Sequence, residues 1–81
     1  MNTYDIENRN FSFIQFYPSQ KGYVNNKPTL HYITDTPDKK QASIKAKRFL
    51  TTLEDYERFD IYPRNYVKDA RILLQEGKII D

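Results

Sequence analysis

The chain contains no cysteine and no tryptophan, only two glycines and a single histidine. Without cysteine there is no disulfide, no thiol nucleophile and no cysteine-ligated zinc, so packing and hydrogen bonds must hold the fold. With Gly22 and Gly77 as the only glycines, a glycine-rich phosphate loop is excluded. His31 has no second histidine or cysteine with which to share a metal, and nothing identifies a partner serine. A lone histidine in a strand-like pattern is expected to be a packed or surface residue rather than a general base. The acids Glu54, Asp55, Glu57 and Asp60 match no calcium-loop spacing and read as a solvated face. No apolar run approaches the roughly 20 residues needed to cross a bilayer, and residues 1–10 are polar, with Asp5 and Glu7, rather than basic leading into apolar. These absences point to a cytoplasmic, non-enzymatic protein with no cofactor, no metal site and no membrane partner.

What remains is one domain, 1–81. Its mean hydropathy of −0.85 and 30% charged residues would suit a disordered chain, but its 38% hydrophobic residues fall in periodic blocks that specify a folded one. A domain of this size buries only roughly 60–65% of the surface its unfolded chain exposes. The aromatics, seven Tyr and five Phe, must therefore supply much of the core. Phe11, Phe13, Phe16, Phe49 and Phe59 are expected inside, while the tyrosines, with a hydroxyl to satisfy, suit either the core or a wet interface.

Residues 11–17 are aromatic and β-branched with no breaker, which predicts a strand. Phe11, Phe13 and Tyr17 lie on one side and Ile14 and Phe16 on the other, the pattern of a central strand covered on both faces. Tyr23 and Val24 suggest a short strand before an Asn25-Asn26 turn. Residues 29–34 predict a second full strand, with Leu30 and Tyr32 opposite His31 and Ile33. Thr36-Pro37-Asp38 reads as a helix start, with Thr36 as cap and Pro37 in the first turn. Ala42, Ala46, Phe49, Leu50 and Leu53 then form one buried stripe. Thr51 with Glu54, or Thr52 with Asp55, resembles a capping box, which leaves open whether the helix breaks near Thr52 and restarts through Tyr56 to Phe59. Pro63 is expected to open a last helix with Tyr66, Val67, Ala70, Leu73 and Leu74 buried, stopped by Gly77 before a short edge strand at residues 78–80. The fold class is α+β: a small antiparallel sheet of two to four strands packed against two or three helices in the order ββ(β)αα(β).

The net charge of +2 is small but unevenly spread. Lys39, Lys40, Lys45, Lys47 and Arg48 occur without an acid among them, and the acids of residues 54–60 follow. On a helix, Lys40 and Lys47 lie opposite the buried stripe, with Lys45 and Arg48 on one flank and Ile44 between. In the last helix, Ile72 likewise lies opposite Ala70, flanked by Lys68, Arg71 and Gln75. An isolated exposed aliphatic residue is ordinary, and another segment covering it is the plain account. The sharper expectation is a protein-docking face anchored by Ile44 and Ile72 and rimmed by Lys40, Lys47, Arg48, Lys68 and Arg71.

Direct binding of DNA or RNA competes for the same side chains. Lys40, Lys45, Lys47, Arg48, Arg64, Asn65 and Lys68 would contact phosphates or a groove, with Tyr17, Tyr23 or Tyr32 stacking on bases. Residues 66–80, Tyr-Val-Lys-Asp-Ala-Arg-Ile-Leu-Leu-Gln-Glu-Gly-Lys-Ile-Ile, resemble the recognition helix and first wing strand of bacterial winged-helix regulators. That resemblance implies a DNA groove faced by Arg64, Asn65 and Lys68. The modest net charge and the acids of residues 54–60 weigh against it. The expected function is therefore a small regulator or inhibitor acting by protein contact, its partner a protein or nucleoprotein complex. The abundance of Phe, Tyr, Ile, Asn and Lys, which have AT-rich codons, suggests a phage or mobile-element protein directed at host nucleic-acid-handling or defence machinery.

Overall fold

The alternation along the first aromatic segment puts large side chains on both sides of β1 (Phe11–Pro18), and in the computed structural model β1 is an interior strand. The structure describes residues 11–19, 27–64 and 67–80. After β1 come β2 (Leu30–Thr34), α1 (Lys39–Leu50), β3 (Tyr56–Arg64), α2 (Val67–Gln75) and β4 (Ile79–Ile80). The architecture is α+β, with strand order β3-β1-β2-β4. β1 pairs antiparallel with β2, placing Phe13 opposite Ile33 and Phe16 opposite Leu30. It also pairs antiparallel with β3, placing Phe16 opposite Phe59 and Ile14 opposite Ile61. β4 joins β2 in parallel, so the sheet is mixed rather than wholly antiparallel. The Tyr23–Val24 segment lies outside the described residues.

The two faces of β1 organise two cores. Ile14 and Phe16, both buried, pack with Ala42 and Ala46 of α1, with Ile61 and Ile80, and with the partly buried Phe49, Leu50, Leu53 and Phe59. The Phe16 ring lies 5.5 to 6.0 Å from those of Tyr32, Phe49 and Phe59, in the tilted and edge-on geometries that aromatic rings favour. On the opposite face Phe11 and Ile33 pack with Ala70 of α2, joined by Phe13, Leu73 and Leu74. Small alanines at both helix contacts let each helix approach the sheet closely, and the two helices cover opposite faces.

Local chemistry explains where the elements differ from expectation. Asp38, not Thr36, caps α1: its carboxylate accepts from the Lys40 N–H at 3.0 Å, while Thr36 Oγ1 accepts from the Asp38 N–H at 3.2 Å and shapes the preceding turn. α1 stops at Leu50, where the Thr51 and Thr52 hydroxyls donate to the Arg48 and Phe49 carbonyls, both at 2.7 Å. Asp55, at φ 69°, turns the chain back to the sheet. Residues 56–59 then form part of β3 rather than a restarted helix, and Pro63 sits in this edge strand instead of opening the last helix. Gly77, at φ 74°, ends α2 as expected, and the short strand at its end forms. Among the described residues no helix is long and apolar enough to cross a membrane.

Candidate functional site

Because α1 buries Ala42, Ala46, Phe49 and Leu50, a helix of 3.6 residues per turn must turn Lys40, Ile44, Lys47 and Arg48 to the opposite side. All four are exposed, Ile44 to 47%. No acid occurs in α1, and among the described residues none of its five cations has an ion-pair partner. Lys45 is only half-buried and flanks a shallow depression shared with Arg48, Phe49 and Ile80. The result is an aliphatic knob ringed by uncompensated positive charge.

Ile72 on α2 is also exposed, to 45%, as are Lys68 and Arg71. The expected single face made of Lys40, Ile44, Lys47, Arg48, Lys68, Arg71 and Ile72 is nevertheless divided. β3 intervenes between the helices and joins the edge beside β1, and α2 then covers the face of the sheet that α1 leaves open. The ring around Ile72 also differs from the expected cationic one: on its inner flank stand Asp69 and Glu76, with Lys68 and Arg71 round the other side of the helix. The alternative set for nucleic acid is split in the same way, since Lys40, Lys45, Lys47 and Arg48 belong to α1 and Lys68 to α2. Arg64 ends β3, and Asn65 lies outside the described residues. The element before α2, the counterpart of the recognition helix in the winged-helix likeness, is the strand β3 and not a helix.

α2 covers only part of its face of the sheet, and two adjoining cavities of about 310 and 280 Å³ lie beside it. They share Phe13, His31 and Asp69; the first extends to Gln15 and Tyr62, the second to Ile72, Leu73 and Glu76. A chain of polar contacts borders the groove. The Tyr17 hydroxyl donates to Gln15 Oε1 at 2.7 Å, and Gln15 Nε2 lies 3.0 Å from His31 Nε2. Gln15 thus links the Tyr17 hydroxyl on its own strand to the His31 ring on β2. The Arg58 guanidinium lies 4.0 Å over the Tyr17 ring and 3.6 Å from the Asp60 carboxylate. Hydrogen bonding with Tyr62, partial burial and the Asp60 carboxylate push the Tyr17 phenol up to about 12, so it stays a donor throughout the neutral range.

Sequence reasoning missed this groove. His31 lies 31 residues before Tyr62 and 38 before Asp69 along the chain and meets them only through the sheet order; the period-two spacing of Arg58, Asp60 and Tyr62 was the available signal. Comparison with known proteins finds no matching family model, no matching curated protein and no matching solved structure.

Proposed function

We propose that the chain is a non-enzymatic binding protein that docks through the outer face of α1 onto an acidic, partly apolar protein surface. One observation carries this reading: Ile44 stands exposed among Lys40, Lys47 and Arg48 on a helix without an acid, and those cations have no ion-pair partner among the described residues. An aliphatic side chain at the centre of a charged ring gains by desolvation against another apolar group, and the rim supplies steering. Phosphate contact alone would make no use of the isoleucine. The cations of α1 and α2 occupy opposite faces of the sheet, which also disfavours both helices tracking one duplex. The groove beside α2 offers hydrogen-bonding groups already engaged with one another, and His31 Nε2 would have to give up Gln15 to act as a base.

The test is a photo-crosslinking residue placed at position 44 of the full chain, applied in an extract of the native source. The expected result is a discrete crosslinked protein that disappears when Lys40, Lys47 and Arg48 are replaced together by alanine. Absence of any crosslinked protein, together with salt-sensitive retardation of random duplex DNA, would transfer the assignment to nucleic acid.

A further inference from the structure

The cavity of about 280 Å³ alongside α2 combines an apolar wall, made by Phe13, Ile72 and Leu73, with the carboxylates of Asp69 and Glu76. The Glu76 N–H bonds to the Ile72 carbonyl at 3.1 Å, so the helical spacing extends to it. At about 1.5 Å of rise per residue the two acids stand about 10.5 Å apart along the helix, with Ile72 and Leu73 between them. Neither carboxylate has an ion-pair or hydrogen-bond partner among the described residues. Lys78 also contributes to the wall, but its ammonium lies 5.5 Å from the ring of Tyr32, which packs on the α1 side of the sheet. Helix stability accounts for only one of the acids. Asp69 is in the first turn of α2, where a carboxylate complements the helix dipole, whereas Glu76 follows the last turn, where a negative charge opposes the exposed carbonyls.

We infer that this cavity binds a linear diamine or polyamine. One ammonium group pairs with Asp69 and a second with Glu76, while the methylene chain between them covers Phe13, Ile72 and Leu73. Among the described residues no three metal-ligating side chains meet at one point, so an extended cation matches the two separated acids better than a single ion does. The adjoining cavity of about 310 Å³ shares Phe13, His31 and Asp69, and a ligand longer than the span between the acids continues through it towards Tyr62. The site lies on the face of the sheet opposite α1, and it stands or falls independently of the α1 docking face.

Titration of the isotopically labelled full chain at neutral pH and low salt, followed by amide NMR, tests the inference with diamines running from ethylenediamine to octamethylenediamine, and with octylamine. Octamethylenediamine should bind with a dissociation constant of about 1 mM or below, shifting the amides of Phe13, Asp69, Ile72, Leu73 and Glu76. Ethylenediamine is too short to reach both acids, and octylamine has the longer chain but one charge. Each should bind about two- to fivefold more weakly, the worth of one exposed ion pair. Asp69→Asn and Glu76→Gln should each weaken octamethylenediamine by the same factor, to the level of octylamine, with unchanged far-ultraviolet circular dichroism. Should Asp69→Asn loosen the first turn of α2, Glu76→Gln, which removes a charge the helix dipole opposes, still decides the matter. Glu54→Gln, at an exposed acid outside the cavity, should leave the affinity unchanged. Affinity independent of chain length, affinity retained in Glu76→Gln, shifts centred on the acids of residues 54–60, or no saturable shift by about 20 mM would each overturn the inference.

Discussion

Replacing Phe16 with alanine should come close to unfolding the domain. The side chain is fully buried beneath α1 and meets the rings of Tyr32, Phe49 and Phe59 at 5.7, 5.5 and 6.0 Å. These three come from β2, α1 and β3, so no single element can move in to fill the space. Truncating a buried phenylalanine costs about 3–5 kcal/mol, the upper part applying where the surroundings cannot collapse. A chain of this length has a total stability of roughly 4–12 kcal/mol. At about 4–8 °C per kcal/mol the melting temperature should fall by at least about 12 °C. Phe16→Leu, which keeps most of the volume, should cost about 1 kcal/mol and leave α1 seated. Thermal and urea denaturation followed by circular dichroism measure both, with an unchanged urea m-value showing that the variants unfold from the same compact state. A Phe16→Ala protein melting within 5 °C of wild type, an arbitrary margin of about 1 kcal/mol, would refute the packing described between β1 and α1.

Three smaller perturbations probe other parts of the structure. Asp38→Ala removes the carboxylate that caps α1 and should cost about 1 kcal/mol in a urea titration, with Asp38→Ser retaining most of the stability. Thr34 is fully buried and its hydroxyl has no partner among the described residues, so Thr34→Val should raise stability by about 1 kcal/mol; a loss would mean the hydroxyl is satisfied. The Tyr17 phenol is raised to about 12 from an ordinary 10.0. Its stabilising contribution is therefore complete below pH 10.0 and is lost as the pH rises through about 12. Melting temperatures should decline over that window, and Tyr17→Phe should flatten the decline.

Where side-chain periodicity decides the structure, the sequence was readable. β1 covered on both faces, β2 with His31 and Ile33 opposite Leu30 and Tyr32, the Ala42–Ala46 stripe of α1, the Gly77 stop and the final short strand all follow from spacing. β3 did not follow, because two local signals pointed to helix. Thr51 and Thr52 followed by acids imitate a capping box, and Pro63 imitates a first helical turn. The threonines instead bond back to α1, and Pro63 is accommodated at a sheet edge. Losing β3 also hid the crossing that sends α2 to the other side of the sheet. Ile44 and Ile72 were correctly read as exposed, since that depends on helix phase alone; their placement back to back depends on topology. The groove with His31, Gln15 and Tyr62 was invisible for the same reason.

Photo-crosslinking of the full chain in an extract of its native source, from position 44 on α1 and in parallel from position 57 on β3, tests the role of the α1 face most directly. The account predicts a discrete crosslinked protein from position 44, lost when Lys40, Lys47 and Arg48 are replaced together by alanine, and none from position 57. Crosslinking from position 57 alone, or a product at position 44 that survives the triple replacement, would contradict it.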